Sequence, residues 1–195
     1  LCVVKKNTYE VIVIGASTGG PKAIEKVLKY LPYDLGVPVL IVQHMPRGFT
    51  KSFADRLNKC CNIRVLEATT GMKIEKNTAY IAPGGYHMEV ESNNKIYLNE
   101  DPAIWGVRPA VDKLFESASK VYKKNVISVI LTGMGRDGAN GTKAIKEAGG
   151  TTISEDESTC TIYGMPKMAY ETGAVDFVLP LHEISNKLKD LLGKS

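Results

Sequence analysis

The sequence predicts an α/β fold: a doubly wound, mostly parallel sheet with helices on both faces and a small antiparallel hairpin insertion. Short apolar runs at 11–14, 37–42 and 126–131, the last broken only by Ser128, read as strands buried on both faces. Amphipathic stretches at helical spacing lie between such runs, the alternation expected of a parallel sheet. In the middle of the chain, 87–91 and 95–99 alternate apolar and polar residues across Ser92-Asn93-Asn94, the pattern of a hairpin.

The first strand, 11–14, ends at Gly15. Pro21 suits a first helical turn; Ala23, Ile24, Val27, Leu28 and Leu31 follow at helical spacing, and Pro32 stops the helix. The second strand, 37–42, leads to a helix marked by Phe49, Phe53, Ala54 and Leu57. A third strand, 79–82, closes on the turn Pro83-Gly84-Gly85, and the hairpin follows. Residues 108–122 return to helix, with Val111, Leu114, Phe115, Ala118 and Val121 facing inward. Strand 126–131 runs into Thr132-Gly133-Met134-Gly135, and a helix at 139–148 is stopped by Gly149-Gly150. Strand 151–154, helix 167–172, strand 175–179 and helix 184–192 complete the pattern, without internal repeats.

At 195 residues the chain fits one domain with at most a small appendage. Leu1 is not an initiator Met, and 1–10 has no signal-peptide pattern. These features predict a chain cut from a longer parent, with 1–10 as linker remnant and 11–195 as the folded domain. Apolar runs fall far short of the ~20 residues needed to span a bilayer, so no membrane insertion is expected. The 25 Lys and Arg against 21 Asp and Glu are scattered, with no basic stripe for nucleic acid. Such a mild excess reads as ordinary solubility charge rather than a mark of an acidic partner. Cys2, Cys60, Cys61 and Cys160 form no CxxC pair and no zinc or disulfide spacing, which predicts a reducing, cytoplasmic compartment.

Ligands of open parallel sheets bind past the carboxyl ends of the strands. Those positions here hold Gly15-Ala16-Ser17-Thr18-Gly19-Gly20, then Gln43-His44-Met45-Pro46, then Pro83-Gly84-Gly85-Tyr86-His87, then Met134-Gly135-Arg136-Asp137-Gly138. Gly15-Ala16-Ser17-Thr18-Gly19 satisfies G-x-S-x-G between strand and helix, the setting of a nucleophile elbow. The competing reading is a glycine-rich phosphate cradle. Ser17 replaces the second glycine of G-x-G-x-x-G, no Gly-Lys-Ser/Thr follows, and Gln43-His44 stands where a ribose-binding acid would be.

A serine hydroxyl needs a base to act as nucleophile near neutral pH. His44, at the end of a buried strand, fits best; the alternative for it is an ordinary core histidine. His182 reads as a solvent-facing or capping residue and His87 as a rim or supporting one. A base needs an orienting carboxylate, and Asp137 is the candidate, although Asp-Gly is also a common turn dipeptide. Asp112 on a helix and Asp176 at the last strand fit less well. The order Ser17, His44, Asp137 is not that of the α/β-hydrolases.

Six ordered motifs then read together: 15–21 GASTGGP, 43–46 QHMP, 82–87 APGGYH, 108–115 RPAVDKLF, 131–138 LTGMGRDG and 163–167 YGMPK. From about 11 to 192 the chain closely resembles the catalytic domain of the chemotaxis protein-glutamate methylesterase family, CheB. The resemblance implies a cytoplasmic serine hydrolase that removes methyl groups from glutamyl methyl esters on chemoreceptor helices, with Ser17 as nucleophile, His44 as base and Asp137 as its partner. It implies Thr18 and Met134 backbone N–H groups as an oxyanion hole, His87 and Arg108 along the cleft, and glutamine deamidation as an added activity. It implies neither metal nor cofactor, and an inhibitory receiver domain in the parent chain. Arg136, inside Gly-Met-Gly-Arg-Asp-Gly, and the Cys60-Cys61 pair carry no role in this reading. Rival readings are a phosphate- or nucleotide-binding module, a catalytically silent receptor-docking domain and a hydrolase of small esters.

Overall fold

The computed structural model describes residues 8–194. Its elements run β1 (Val11–Ala16), α1 (Gly20–Lys29), β2 (Val39–Gln43), α2 (Thr50–Cys60), β3 (Arg64–Glu67), β4 (Thr78–Ile81), β5 (His87–Val90) and β6 (Ile96–Asn99). They continue with α3 (Val111–Tyr122), β7 (Val126–Ile130), α4 (Ala139–Glu147), β8 (Thr151–Glu155), α5 (Met165–Glu171), β9 (Phe177–Leu179) and α6 (Leu181–Leu191).

Seven strands form one sheet in the order β3-β4-β2-β1-β7-β8-β9, and every neighbouring pair is parallel. β5 and β6 form the separate antiparallel hairpin. All residues of β1, β2, β4 and β7 are buried, as strands covered on both faces require. Side chains alternate between the faces: Ile12, Ile14 and Ala16 pack with the apolar sides of α1, α2 and α6. Val11 and Val13 pack with α3, α4, α5 and the hairpin.

The edge strand β3 has no counterpart in the sequence reading. It is four residues long, with Arg64 exposed and Glu67 half-buried, so it lacks the apolar run that marks the central strands. The large helix begins at Val111 rather than 108 because Ala110 is extended and caps it. β2 lies two residues later at its start than expected and reaches Gln43, whereas β9 keeps only the last three residues of 175–179. α5 and α6 start before the expected 167 and 184, which places exposed His182 within α6.

Of the expected linker, 1–7 lies outside the described residues, as does Cys2. Residues 8–10 have no regular structure but are held to the sheet, Glu10 N–H donating to the Asn125 carbonyl at 2.8 Å. Among the described residues no helix is long and apolar enough to cross a membrane.

Candidate active site

The chain adds strands on one side of β1 as far as β4 and then crosses to β7 on the other side. A doubly wound sheet opens a crevice at such a reversal, beyond the carboxyl ends of the strands. Ser17 follows β1 directly, and its N–H donates to the Thr132 carbonyl beyond β7 at 3.0 Å. On the opposite side Ala16 and Gln43 are register partners, and His44 N–H donates to the Ala16 carbonyl at 3.0 Å. The parallel pairing of β1 with β2 therefore sets Ser17 and His44 side by side. Gly19 makes the sharp turn into α1 with φ at +80°, a region that disfavours side chains with a Cβ. Ser17 is half-buried and Thr18 exposed, so the turn presents its apex to solvent.

His44 Nε2 lies 2.6 Å from Asp137 Oδ2, with side-chain exposures of 11% and 2%. Asp137 also accepts from the N–H groups of Val111, at 2.6 Å, and Asp112, at 2.9 Å. Its carboxylate thus sits on the N-terminus of α3, where orphan donors and the helix dipole favour negative charge. An ionised Asp137 accepts a proton-bearing Nε2, which leaves Nδ1 as the lone-pair nitrogen of the neutral ring. Among the described residues the Ser17 hydroxyl has no hydrogen bond of its own.

Two backbone donors remain near the serine. Thr18 N–H and Met134 N–H form no hydrogen bond among the described residues. The segment carrying Met134 is pressed against the serine: a Cβ on Gly133 would lie 2.8 Å from Ser17 Cβ and 2.9 Å from Ser17 N. Thr132 anchors this segment, its N–H donating to Glu155 at 2.9 Å and its hydroxyl to the Thr18 carbonyl at 3.0 Å. Gln43 braces the other wall, its amide donating to the carbonyls of Ser17, at 2.9 Å, and His44, at 3.1 Å.

Arg108 lines a cavity of about 210 Å³ beside His44, together with Met45, Gly106, Val107 and Pro109. Its guanidinium is held by the Glu100 and Asp101 carbonyls at 2.8 and 3.2 Å. His87 is placed differently from its expected position on the cleft. It is fully buried, with Nε2 donating to the Pro102 carbonyl at 3.0 Å and Nδ1 accepting from Ala110 N–H at 3.2 Å. Both ring nitrogens are used to pin the two ends of the loop that carries Arg108. His182 is exposed, and Asp176 bonds Thr152 at the far side of the sheet, so neither joins this group.

Two buried carboxyls support the site: Asp112, which the sequence offers only as a poorer partner for the base, and Glu155, which it does not single out. Asp112 accepts from Gly138 N–H, Gly141 N–H and the Trp105 indole at 2.9, 2.7 and 3.0 Å. Burial, reinforced by nearby Asp137, pushes its carboxyl above the usual range. The signal was an acid in the first turn of a helix. Glu155, at the end of β8, is fully buried and also raised, mainly by desolvation. Inspection of the residues past each strand would have found it. Among the described residues no group of three His, Cys, Asp or Glu is arranged to hold a metal.

This arrangement supplies a solvent-presented serine, a histidine fixed by a buried carboxylate and two unpaired N–H groups, the parts used in acyl transfer. Comparison with known proteins points the same way. The chain is 59% identical over 185 residues to a protein-glutamate methylesterase/protein-glutamine glutaminase of Clostridium acetobutylicum, covering 95% of this chain and 54% of that one. It is 50% identical to the protein of the same name from Pyrococcus horikoshii, covering 89% and 48%. The chain thus spans about half the length of the curated relatives it matches. The crystal structure of the Thermotoga maritima CheB methylesterase catalytic domain superposes with a TM-score of 0.91 at 44% identity, covering 94% of this chain and 98% of that one. The model of the CheB methylesterase family matches residues 12–188, and with the sheet, the serine turn and the His44–Asp137 pair in place, the chain belongs to that family.

Proposed function

We propose that this chain is a serine hydrolase that demethylates glutamyl methyl esters in proteins through an acyl-enzyme. The observation that carries this reading is the His44–Asp137 hydrogen bond beside Ser17 at the sheet's reversal point. Ser17 Oγ attacks the γ-carbonyl carbon while His44 Nδ1 takes the hydroxyl proton. Asp137 steadies the resulting imidazolium, and the N–H groups of Thr18 and Met134 receive the negative oxygen. Collapse breaks the C–O bond to the methoxy group, His44 returns the proton, and methanol leaves. Water then attacks the acyl carbon with His44 again as base, freeing the glutamate carboxylate and the serine. The same steps with ammonia as leaving group deamidate a glutamine, the second activity in the relatives' names. Arg108 lines the cleft, and His87 holds its loop.

The substrates fitting this family are methylated helices of chemoreceptors, met in the cytoplasm, with a receiver domain covering the site as regulator. Residues 11–195 serve as the catalytic domain and 1–10 as its linker. Methanol release from methylated chemoreceptor, compared between this chain and Ser17→Ala, tests the reading. Release that vanishes in the variant supports it. No release from the unmutated, folded chain overturns it and favours a docking or binding module.

A further inference from the structure

The loop pinned by His87 carries a second feature. Ile104 and Val107 exchange backbone hydrogen bonds at 3.0 Å around a two-residue turn, with Trp105 at φ +53° and Gly106 at φ +78°. Glycine is the easy choice at both positions of such a turn. A tryptophan there adopts a backbone conformation that a side chain with a Cβ disfavours, so it is held at that spot against local preference. The residue is nevertheless 49% exposed. Its indole N–H is tied to buried Asp112 at 3.0 Å, and the Arg136 guanidinium stacks over it at 4.8 Å from the centroid.

Arg136 is exposed, and among the described residues no carboxylate forms an ion pair with it. Two residues before it, Met134 is 67% exposed beside the serine. On the other side, the residues after Trp105 are the Gly106, Val107 and Arg108 that line the His44 cavity. Trp105 and Arg136 thus line one pocket with Asn140, Met168 and Glu171, and the chain on either side of it leads to the site, through Met134 and Gly133 to the serine and through Gly106–Arg108 to the His44 cavity. Tryptophan and arginine are the residues that most often carry binding energy at protein interfaces.

We propose that Trp105 and Arg136 form a docking ledge for the protein substrate, Arg136 taking a carboxylate near the reacting ester and Trp105 with Met134 taking an adjoining apolar side chain. The inference rests on the methylesterase reading above, since each hydrolysed ester leaves a glutamate carboxylate that can flank the next. The ledge also reaches the catalytic group through hydrogen bonds. Trp105 bonds Asp112, whose own N–H bonds Asp137, which bonds His44. Occupancy of the ring therefore bears on the residue that orients the base.

The test compares wild type, Arg136→Gln, Arg136→Lys and Trp105→Phe on two substrates: a methylated chemoreceptor fragment and N-acetylglutamate γ-methyl ester. In Arg136→Gln the KM for the receptor fragment rises about threefold to tenfold, as expected for loss of a charged contact at a binding surface, while the small ester shows no matching rise. Arg136→Lys recovers part of the loss, and the salt dependence of KM flattens in Arg136→Gln. Trp105→Phe keeps the ring but loses the bond to Asp112, so its effect falls on kcat. An unchanged receptor KM in Arg136→Gln, or equal changes on both substrates, overturns the ledge and leaves the methylesterase reading standing. An effect confined to inhibition by an added receiver domain also overturns it, naming a different occupant. Hydrolysis of the small ester without methanol release from receptor by wild type defeats the methylesterase reading itself.

Discussion

Replacing Asp137 by asparagine separates a structural from a catalytic role in one side chain. The carboxylate accepts three hydrogen bonds: Oδ2 from Val111 N–H and His44 Nε2, and Oδ1 from Asp112 N–H. An asparagine has one acceptor oxygen, so its NH₂ must face a donor whichever way it is turned. If the oxygen stays with Val111 and His44, the Asp112 N–H is left buried against a second donor. One buried unsatisfied group costs about 1–3 kcal/mol, and the loss of a negative charge at a partly buried helix N-terminus adds roughly 0.5–2 kcal/mol. The sum, about 1.5–5 kcal/mol, lowers the melting temperature by about 3–20 °C for a domain of this size. If the NH₂ turns to His44 instead, the imidazole is forced into the wrong tautomer, a change worth about 10⁴ in kcat in a serine triad. Melting by circular dichroism and methanol release on the same preparation read both effects. A melting temperature within 2 °C of wild type, on the scale of about 2–4 °C per kcal/mol, refutes the hydrogen-bond reasoning. Activity within about tenfold of wild type assigns the orientation that keeps the oxygen on His44; Asp137→Ala, which leaves Nε2 no acceptor at all, refutes the catalytic assignment if its activity also stays within about tenfold.

Gly133→Ala places a methyl against the backbone nitrogen and Cβ of Ser17, neither of which can move without shifting the elbow. Overpacking of this kind costs about 1–3 kcal/mol, and displacement of the serine lowers kcat by at least about tenfold, read by denaturant melts and steady-state kinetics. Glu155→Gln changes the pH dependence of stability. The folded state raises the Glu155 pKa above its ordinary 4.5, so the folded form holds the proton longer than the unfolded chain and loses stability as pH rises through that window. The variant escapes this loss, and its melting temperature relative to wild type climbs as the pH is raised above the ordinary glutamate value of 4.5. Parallel melting profiles contradict the burial argument.

The central sheet and the triad candidates were legible because both follow from strand ends. Strongly apolar runs located β1, β2 and β7, and the residues just past them included Ser17, His44 and, seven residues after β7, Asp137. What stayed hidden depends on tertiary contact. Nothing in 108–115 shows that the N–H groups of Val111 and Asp112 cap Asp137, because the pairing spans distant segments. His87 opens a hairpin strand as expected, yet only the packed structure shows both its ring nitrogens occupied beneath the loop. Arg136 had no role until the fold stacked it on Trp105, and the charged Arg64 and Glu67 around only two apolar residues masked β3 as an edge strand.

Formation of an acyl bond to Ser17 is the claim on which the chemistry rests. An acid-quenched mixture of this chain with a methylated receptor fragment, analysed by peptide mass alongside released methanol, examines it directly. The expected result is an alkali-labile conjugate at Ser17, with neither conjugate nor methanol from Ser17→Ala. Methanol released by Ser17→Ala at the wild-type rate would contradict it, since water would then reach the ester without the serine.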